Sequence, residues 1–182
     1  RSATGAARRA GCCATAAEGR AMRLPDVDLP STDDTRVNAG LIRGRAVIYV
    51  YPYTGKPSVP DPPGWDSIFG AHGSTPQSLA YSMIYPEFRK LSVKLYGLSN
   101  QDTAWQKDFV TRNHLSFPLL SDQAGDFAGA VPLATFRAGE QAYYVRRSFL
   151  VENGEVLFDR QHVMPPEEDA RVLLAEAVRR WS

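Results

Sequence analysis

Cysteine is almost missing from this chain: of 182 residues only Cys12 and Cys13 carry a thiol, and they are adjacent. An intrachain disulfide framework is thereby excluded, and a reducing compartment such as the cytoplasm is the expected setting. The pair also lacks the further Cys or nearby His that a zinc site requires. Net charge is equally scarce, since 21 Lys and Arg against 20 Asp and Glu leave +1. Nothing there favours nucleic acid or an anionic membrane surface as a partner. No apolar run approaches the roughly 20 residues that span a bilayer, so a soluble protein is expected. There are no internal repeats.

What is present is ordinary for a globular domain: 43% hydrophobic and 23% charged residues on a length that suits one domain. Residues 1–21, rich in Ala and Arg, read as an N-terminal extension that resembles a transit segment or a remnant, so organelle targeting stays open. Residues 22–182 read as the domain proper.

From Gly44 the pattern sharpens. "GRAVIYVYP" is a short, nearly continuous apolar run ended by Pro52, which implies a buried strand. "YTGKPSVPDPPGWDSIFG" is dense in proline and glycine and must be a loop. "STPQSLAYSMIYPEFRKL" reads as a helix capped by Ser74 or Thr75, with Pro76 in its first turn and a bend or break at Pro86. "VKLYGLS" is a second buried strand, and "DTAWQKDFVTRNH" an amphipathic helix capped by Asp102 or Thr103.

"LSFPLLSD" follows as an extended piece, and "QAGDFAGAV" as a short helix. "YYVRRSFLVENGEVLFDRQHV" reads as two strands joined through Glu152-Asn153-Gly154, an Asn-Gly hairpin signal. "PPEEDARVLLAEAVRRW" closes the chain as a helix with acids in its first turn and arginines in its last. The order implies an α/β domain, a mixed central sheet with helices on both faces.

The fragments "VIYVYPYTGKP…PPGWD…GSTPQS", "GLSNQDTAWQKDF", "LSFPLLSD" and "RRSFLVENGEV" occur in the order found in peroxiredoxins. The chain resembles the Q, or bacterioferritin-comigratory, group of the alkyl hydroperoxide reductase/thiol-specific antioxidant superfamily from about Leu24 to Trp181. The resemblance implies a thioredoxin-like fold, no cofactor, no metal and an ancestry in hydroperoxide reduction. It places the peroxidatic cysteine at Ser74 and the resolving cysteine at Leu79, so both thiols are gone.

A serine hydroxyl ionises far above a thiol, whose reference value is about 8.5, and oxygen has no reversible oxidation ladder. The rest of the pocket is partly kept. Arg146, with Arg147 as the register alternative, matches the arginine that steadies thiolate and peroxide. Thr54 after Tyr51-Pro52 matches the motif's hydroxyl, although the proline-rich loop breaks the usual spacing to the helix. Gly73 and Thr75 flank Ser74, and His72 stands where a basic Arg is common.

Plainer readings stand beside these. Ser74 with Gln77 fits a capping box and needs no chemistry. A nucleophilic Ser74 would need His72 as base, oriented by Asp102 or Asp122. Trp65 reads as a buried loop anchor, Trp105 and Phe109 as core or interface, and His114 and His162 as element ends.

Three functions follow. The first is a peroxiredoxin relative without peroxidase chemistry that keeps its pocket for a small-molecule ligand or a recruited non-redox reaction. The second is a one-Cys hydroperoxide reductase with an engineered Cys-to-Ser change at 74, which a thioredoxin-type reductant would serve only once the cysteine is restored. The third is a partner-binding module that uses the interfaces through which such proteins form homodimers.

Overall fold

The computed structural model describes residues 22–182; the extension 1–21, with Cys12 and Cys13, lies outside them. Nine strands and four α-helices succeed one another: β1 (Asp28–Pro30), β2 (Arg36–Asn38), β3 (Arg45–Val50), α1 (Ser74–Lys90), β4 (Val93–Ser99), α2 (Thr103–Asn113), β5 (Leu119–Ser121), α3 (Asp126–Ala130), β6 (Thr135–Ala138), β7 (Gln141–Tyr144), β8 (Arg147–Glu152), β9 (Glu155–Gln161) and α4 (Asp169–Trp181). Five of the strands form the central sheet in the order β5-β4-β3-β8-β9. β4 runs parallel to β3 and β5, whereas β8 runs antiparallel to β3 and β9. The result is the mixed sheet of a thioredoxin-like fold.

β3 shows why its sequence is almost wholly apolar. Val47, Tyr49 and Tyr51 pack with Tyr81 and Phe88 of α1, Phe109 of α2 and Leu173 of α4. Their alternates Ala46, Ile48 and Val50 pack with Phe127 of α3, Leu29 of β1 and Tyr144 of β7. Side chains of a strand alternate between faces, and a strand covered on both needs apolar residues at every position. Helices therefore do lie on both faces, with α1, α2 and α4 on one and α3 on the other.

Gly97 in β4 is required by close packing. A Cβ there would sit 2.5 Å from Leu119 Cδ2 and 2.7 Å from the Tyr49 ring. That ring stacks on Tyr81 at 4.4 Å between centroids, which joins the sheet to α1.

Two expectations need correction. α1 runs unbroken through Pro86, which neither breaks nor ends it. Proline removes one backbone hydrogen bond, but Tyr81 and Phe88 on either side are buried and stack at 6.2 Å, so packing holds the helix. Tyr143 and Tyr144 do not begin the strand that continues through Arg147; they belong to the β6–β7 hairpin, which turns at Gly139 with φ of 61°. Ahead of β3, β1 and β2 form a small antiparallel hairpin.

Arg147, the register alternative to Arg146, turns away from the pocket and grips Asp159 of β9 through Nε and Nη2 at 2.8 and 2.7 Å. Those hydrogen bonds hold the Asp159 carboxyl below its ordinary 3.8. A carboxyl whose acidity is raised by folding stabilises the fold above its unfolded value, and that contribution is lost as pH falls through the lower folded value. Asp159→Asn is therefore expected to reduce the loss of stability below about pH 4. Urea midpoints followed from pH 6 downward measure it, and an unchanged slope would refute the assignment.

Candidate functional site

The site is built at the N-terminus of α1, where the backbone turns through Gly73 with φ of 109°. Only glycine adopts that conformation without strain, and a Cβ would meet Pro166 Cγ at 2.4 Å. Helix α1 starts at Ser74 itself, so neither Ser74 nor Thr75 is the cap, and no side chain accepts there. The capping-box expectation for Ser74 and Gln77 is thus overturned by tertiary contacts, since both side chains are taken by a buried arginine.

That arginine is Arg146, which is 3% exposed, as is Ser74. Its Nη2 donates to Ser74 Oγ at 3.0 Å and its Nε to Gln77 Oε1 at 3.1 Å. Its remaining contacts are carbonyls: Nη1 donates to Gly70 and Nη2 to Ala71. Burial pushes the guanidinium down to about 10, while the carboxylates of Asp169 and Glu167 work against that shift. It remains a cation at neutral pH. With the positive end of a 17-residue helix dipole, it makes the surroundings of Ser74 Oγ electropositive.

Behind this contact lies a second layer that the sequence did not advertise. Gln77 Nε2 donates to Asp169 Oδ2 at 3.0 Å, so the amide holds Arg146 on one side and Asp169 on the other. The same carboxylate accepts from Tyr81 Oη at 2.8 Å and Ser148 Oγ at 2.6 Å, and pairs with Arg160 Nη1 at 2.9 Å. Asp169 had read as a first-turn acid of the last helix, and Gln77 as half of a capping box. Helical position alone cannot tell a solvated acid from a buried one.

The other expected residues divide. Thr75, His72 and Gly73 line, with Ser74, a polar hollow of about 250 Å³ closed by Tyr53, Asp61 and Trp65. Thr54 is not among them: its hydroxyl and its N–H both go to Gln101 Oε1, at 3.0 and 2.9 Å. Pro52 is buried at the end of β3 and also stands outside the hollow. Leu79 lies on α1 and is 38% exposed. On the far side of the loop, Arg146 also lines an apolar cavity of about 350 Å³ with Phe69, Phe136, Val163 and Met164.

A Ser–His–Asp relay is not assembled. His72 Nε2 lies 2.8 Å from Asp66 Oδ1 and bonds to neither proposed orienting acid. Asp102 caps α2 through Trp105 N–H, and Asp122 accepts from the N–H groups of Phe127 and Ala128 at α3. Both acids are spent on helix ends.

The site thus combines a thioredoxin-like sheet with a helix N-terminus and a buried arginine that meet at Ser74. The redoxin family model matches residues 19–174. The chain belongs to the redoxin family. Its curated relatives are peroxiredoxins of the Q type. A chloroplastic peroxiredoxin Q of Oryza sativa subsp. japonica is 28% identical over 167 residues, which is 86% of this chain and 64% of the relative. The chloroplastic peroxiredoxin Q of Arabidopsis thaliana is 30% identical over 90 residues, or 44% of this chain and 39% of the relative. The chain thus spans less than two thirds of the length of these relatives.

Solved structures share the fold. The bacterioferritin comigratory protein of Xanthomonas campestris, described for its alkyl peroxide reduction, superposes with a TM-score of 0.72 at 22% identity, covering 90% of this chain and 100% of that one. A Cys-to-Ser mutant of peroxiredoxin Q from Xylella fastidiosa gives 0.72 at 18% identity, covering 90% and 96%. Peroxidoxin BcpB of Mycobacterium tuberculosis gives 0.71 at 20%, covering 89% and 97%. No helix among the described residues is long and apolar enough to cross a membrane.

Proposed function

We propose that this chain is a peroxiredoxin-type protein without thiol peroxidase activity, and that it keeps the pocket around Ser74 for a small-molecule ligand or a non-redox reaction. The observation that carries this is the hydroxyl of Ser74, held 3.0 Å from Arg146 Nη2 where the resemblance expects a thiolate. Reduction of a hydroperoxide needs a sulfur that accepts one oxygen and later gives it up, and serine supplies neither step. No residue among 22–182 is a cysteine.

The full chain, incubated with hydrogen peroxide or an alkyl hydroperoxide and an excess of thiol reductant, is expected to consume no peroxide above the protein-free rate. Sustained turnover would overturn the reading, wherever in the chain the reactive group lay.

A second reading is favoured by one observation: the Ser74–Arg146 contact is intact, as it would be if serine had simply replaced a working cysteine at 74. The chain would then derive from a one-Cys hydroperoxide reductase. A cysteine codon at position 74 of the native gene would establish this reading and exclude the first.

A further inference from the structure

We infer that the apolar cavity beside Arg146 is a binding site for a medium-chain aliphatic carboxylate, whose charged end meets the guanidinium. The inference rests on Ser74 being the native residue, because a thiolate in its place would itself neutralise Arg146. The cavity is separate from the polar hollow, and neither Ser74, His72 nor Thr54 lines it.

Arg146 is a buried cation without a contacting anion. It is 3% exposed and forms no salt bridge among the described residues. Two carboxylates act on it through space, Asp169 and Glu167. Asp169 is already paired with Arg160 at 2.9 Å and reaches Arg146 through Gln77. Glu167 is exposed to solvent. Buried charges are ordinarily paired, since an unpaired one keeps the penalty of leaving water.

The guanidinium also has a donor to spare. Of the five N–H groups of an arginine, Nε here goes to Gln77, Nη2 to Ser74 and Ala71, and Nη1 to Gly70, all of them neutral acceptors. The second N–H of Nη1 has no acceptor among the described residues, and Arg146 and Gly70 both line the cavity.

The walls decide the rest of the ligand. The cavity holds about 350 Å³, the size of a small-ligand site. Phe69, Phe136, Val145 and Val163 make its walls apolar, and His162 is the other polar side chain in the lining. Phe69 is 89% exposed, an apolar surface that an alkyl chain would cover. An inorganic anion would meet the guanidinium but set its other oxygens against these walls without donors. An uncharged alkyl compound would cover the walls and leave the cation unmet. A carboxylate on an alkyl chain answers both, with a charge-assisted hydrogen bond at Nη1.

The full chain is titrated calorimetrically with octanoate below its micelle concentration. Octanol and inorganic phosphate serve as probes that lack the charge and the tail. One octanoate per chain is expected, with the other two probes bound at least about 10-fold more weakly. Phe69→Glu sets a carboxylate at the wall and should weaken octanoate by a similar factor; Phe69 is exposed, so the fold is not at stake. Met83→Glu, at an exposed methionine of α1 that does not line the cavity, should leave octanoate binding as it is. Arg146→Met, checked for folding by circular dichroism, should lose the preference for octanoate over octanol. No saturable site, octanol or phosphate bound as tightly as octanoate, or unchanged affinity in Phe69→Glu would overturn the assignment. The titration contains no peroxide, so such a failure sinks this site alone, whereas turnover in the peroxide assay sinks the reading on which it rests.

Discussion

Ser74→Cys is expected to give a chain that reacts with one equivalent of hydroperoxide, where the parent reacts with none. The new sulfur would take the place of Ser74 Oγ, 3.0 Å from a buried guanidinium and at the start of a 17-residue helix. Cysteines so placed have pKa values of about 3.5–7.5 against about 8.5 for a free thiol, so a thiolate is present at neutral pH. The sulfur attacks one peroxide oxygen, an S–O bond forms as the O–O bond breaks, and the alcohol or water leaves with a proton.

The product is a sulfenic acid. Helix α1 contains no cysteine, so the sulfenic acid has no partner there and waits for an external thiol. Mass spectrometry of the peptide containing position 74 should show a gain of one oxygen that a thiol-capture reagent traps. A thiol at 74 with an ordinary pKa and no oxygen gain would mean that the hollow no longer serves peroxide. Thr54 bears on the rate, because its hydroxyl is committed to Gln101, and a sluggish variant would point to that bond.

The largest stability effect is expected at Asp169. Its carboxylate collects donors from α1 through Gln77 and Tyr81, from β8 through Ser148, and from β9 through Arg160. Asp169→Ala strands three buried donors and deprives Arg160 of its partner. Removing one member of a buried pair typically costs about 3–5 kcal/mol, because the remaining charge and donors keep their desolvation penalty. Ser148→Ala removes a single hydrogen bond and should cost only about 1 kcal/mol.

Urea unfolding of the two variants checks the ratio. Near-equal losses would show that Asp169 acts through one bond and not as a hub. Because Gln77 links Asp169 to Arg146, the Asp169 variant in the Ser74→Cys background should also raise the thiol pKa.

Much of the fold was legible because the chain is locally consistent. Val93–Ser99 and a cap for α2 at Asp102 or Thr103 can be read directly, since a doubly covered strand and a capping side chain at a helix start leave local marks, and the fold selects Asp102. The hairpins β1–β2 and β6–β7 were not legible. Their strands of three and four residues are too short to establish a period, and pairing with a neighbour defines them more than composition does.

The candidate site divides in the same way. Ser74 and Arg146 were proposed from the order of motifs in the resemblance, and the fold brings them to 3.0 Å, with Arg146 in the short link between β7 and β8. The partner of Thr54 was not legible, because a hydroxyl bonds to whatever lies opposite it, here Gln101, 47 positions away.

By itself the sequence determined the α/β class and the order of the main strands and helices. Those properties rest on period, turn residues and side-chain chemistry, which are local. Only the tertiary structure decided that Ser74 is a partner of Arg146 instead of a helix cap, that Gln77 ties Arg146 to Asp169, and that Arg146 also lines an apolar cavity. Each of those depends on groups distant in the chain meeting in a buried or crowded space, where an unmet hydrogen bond or charge is costly, and no local pattern records which groups will meet.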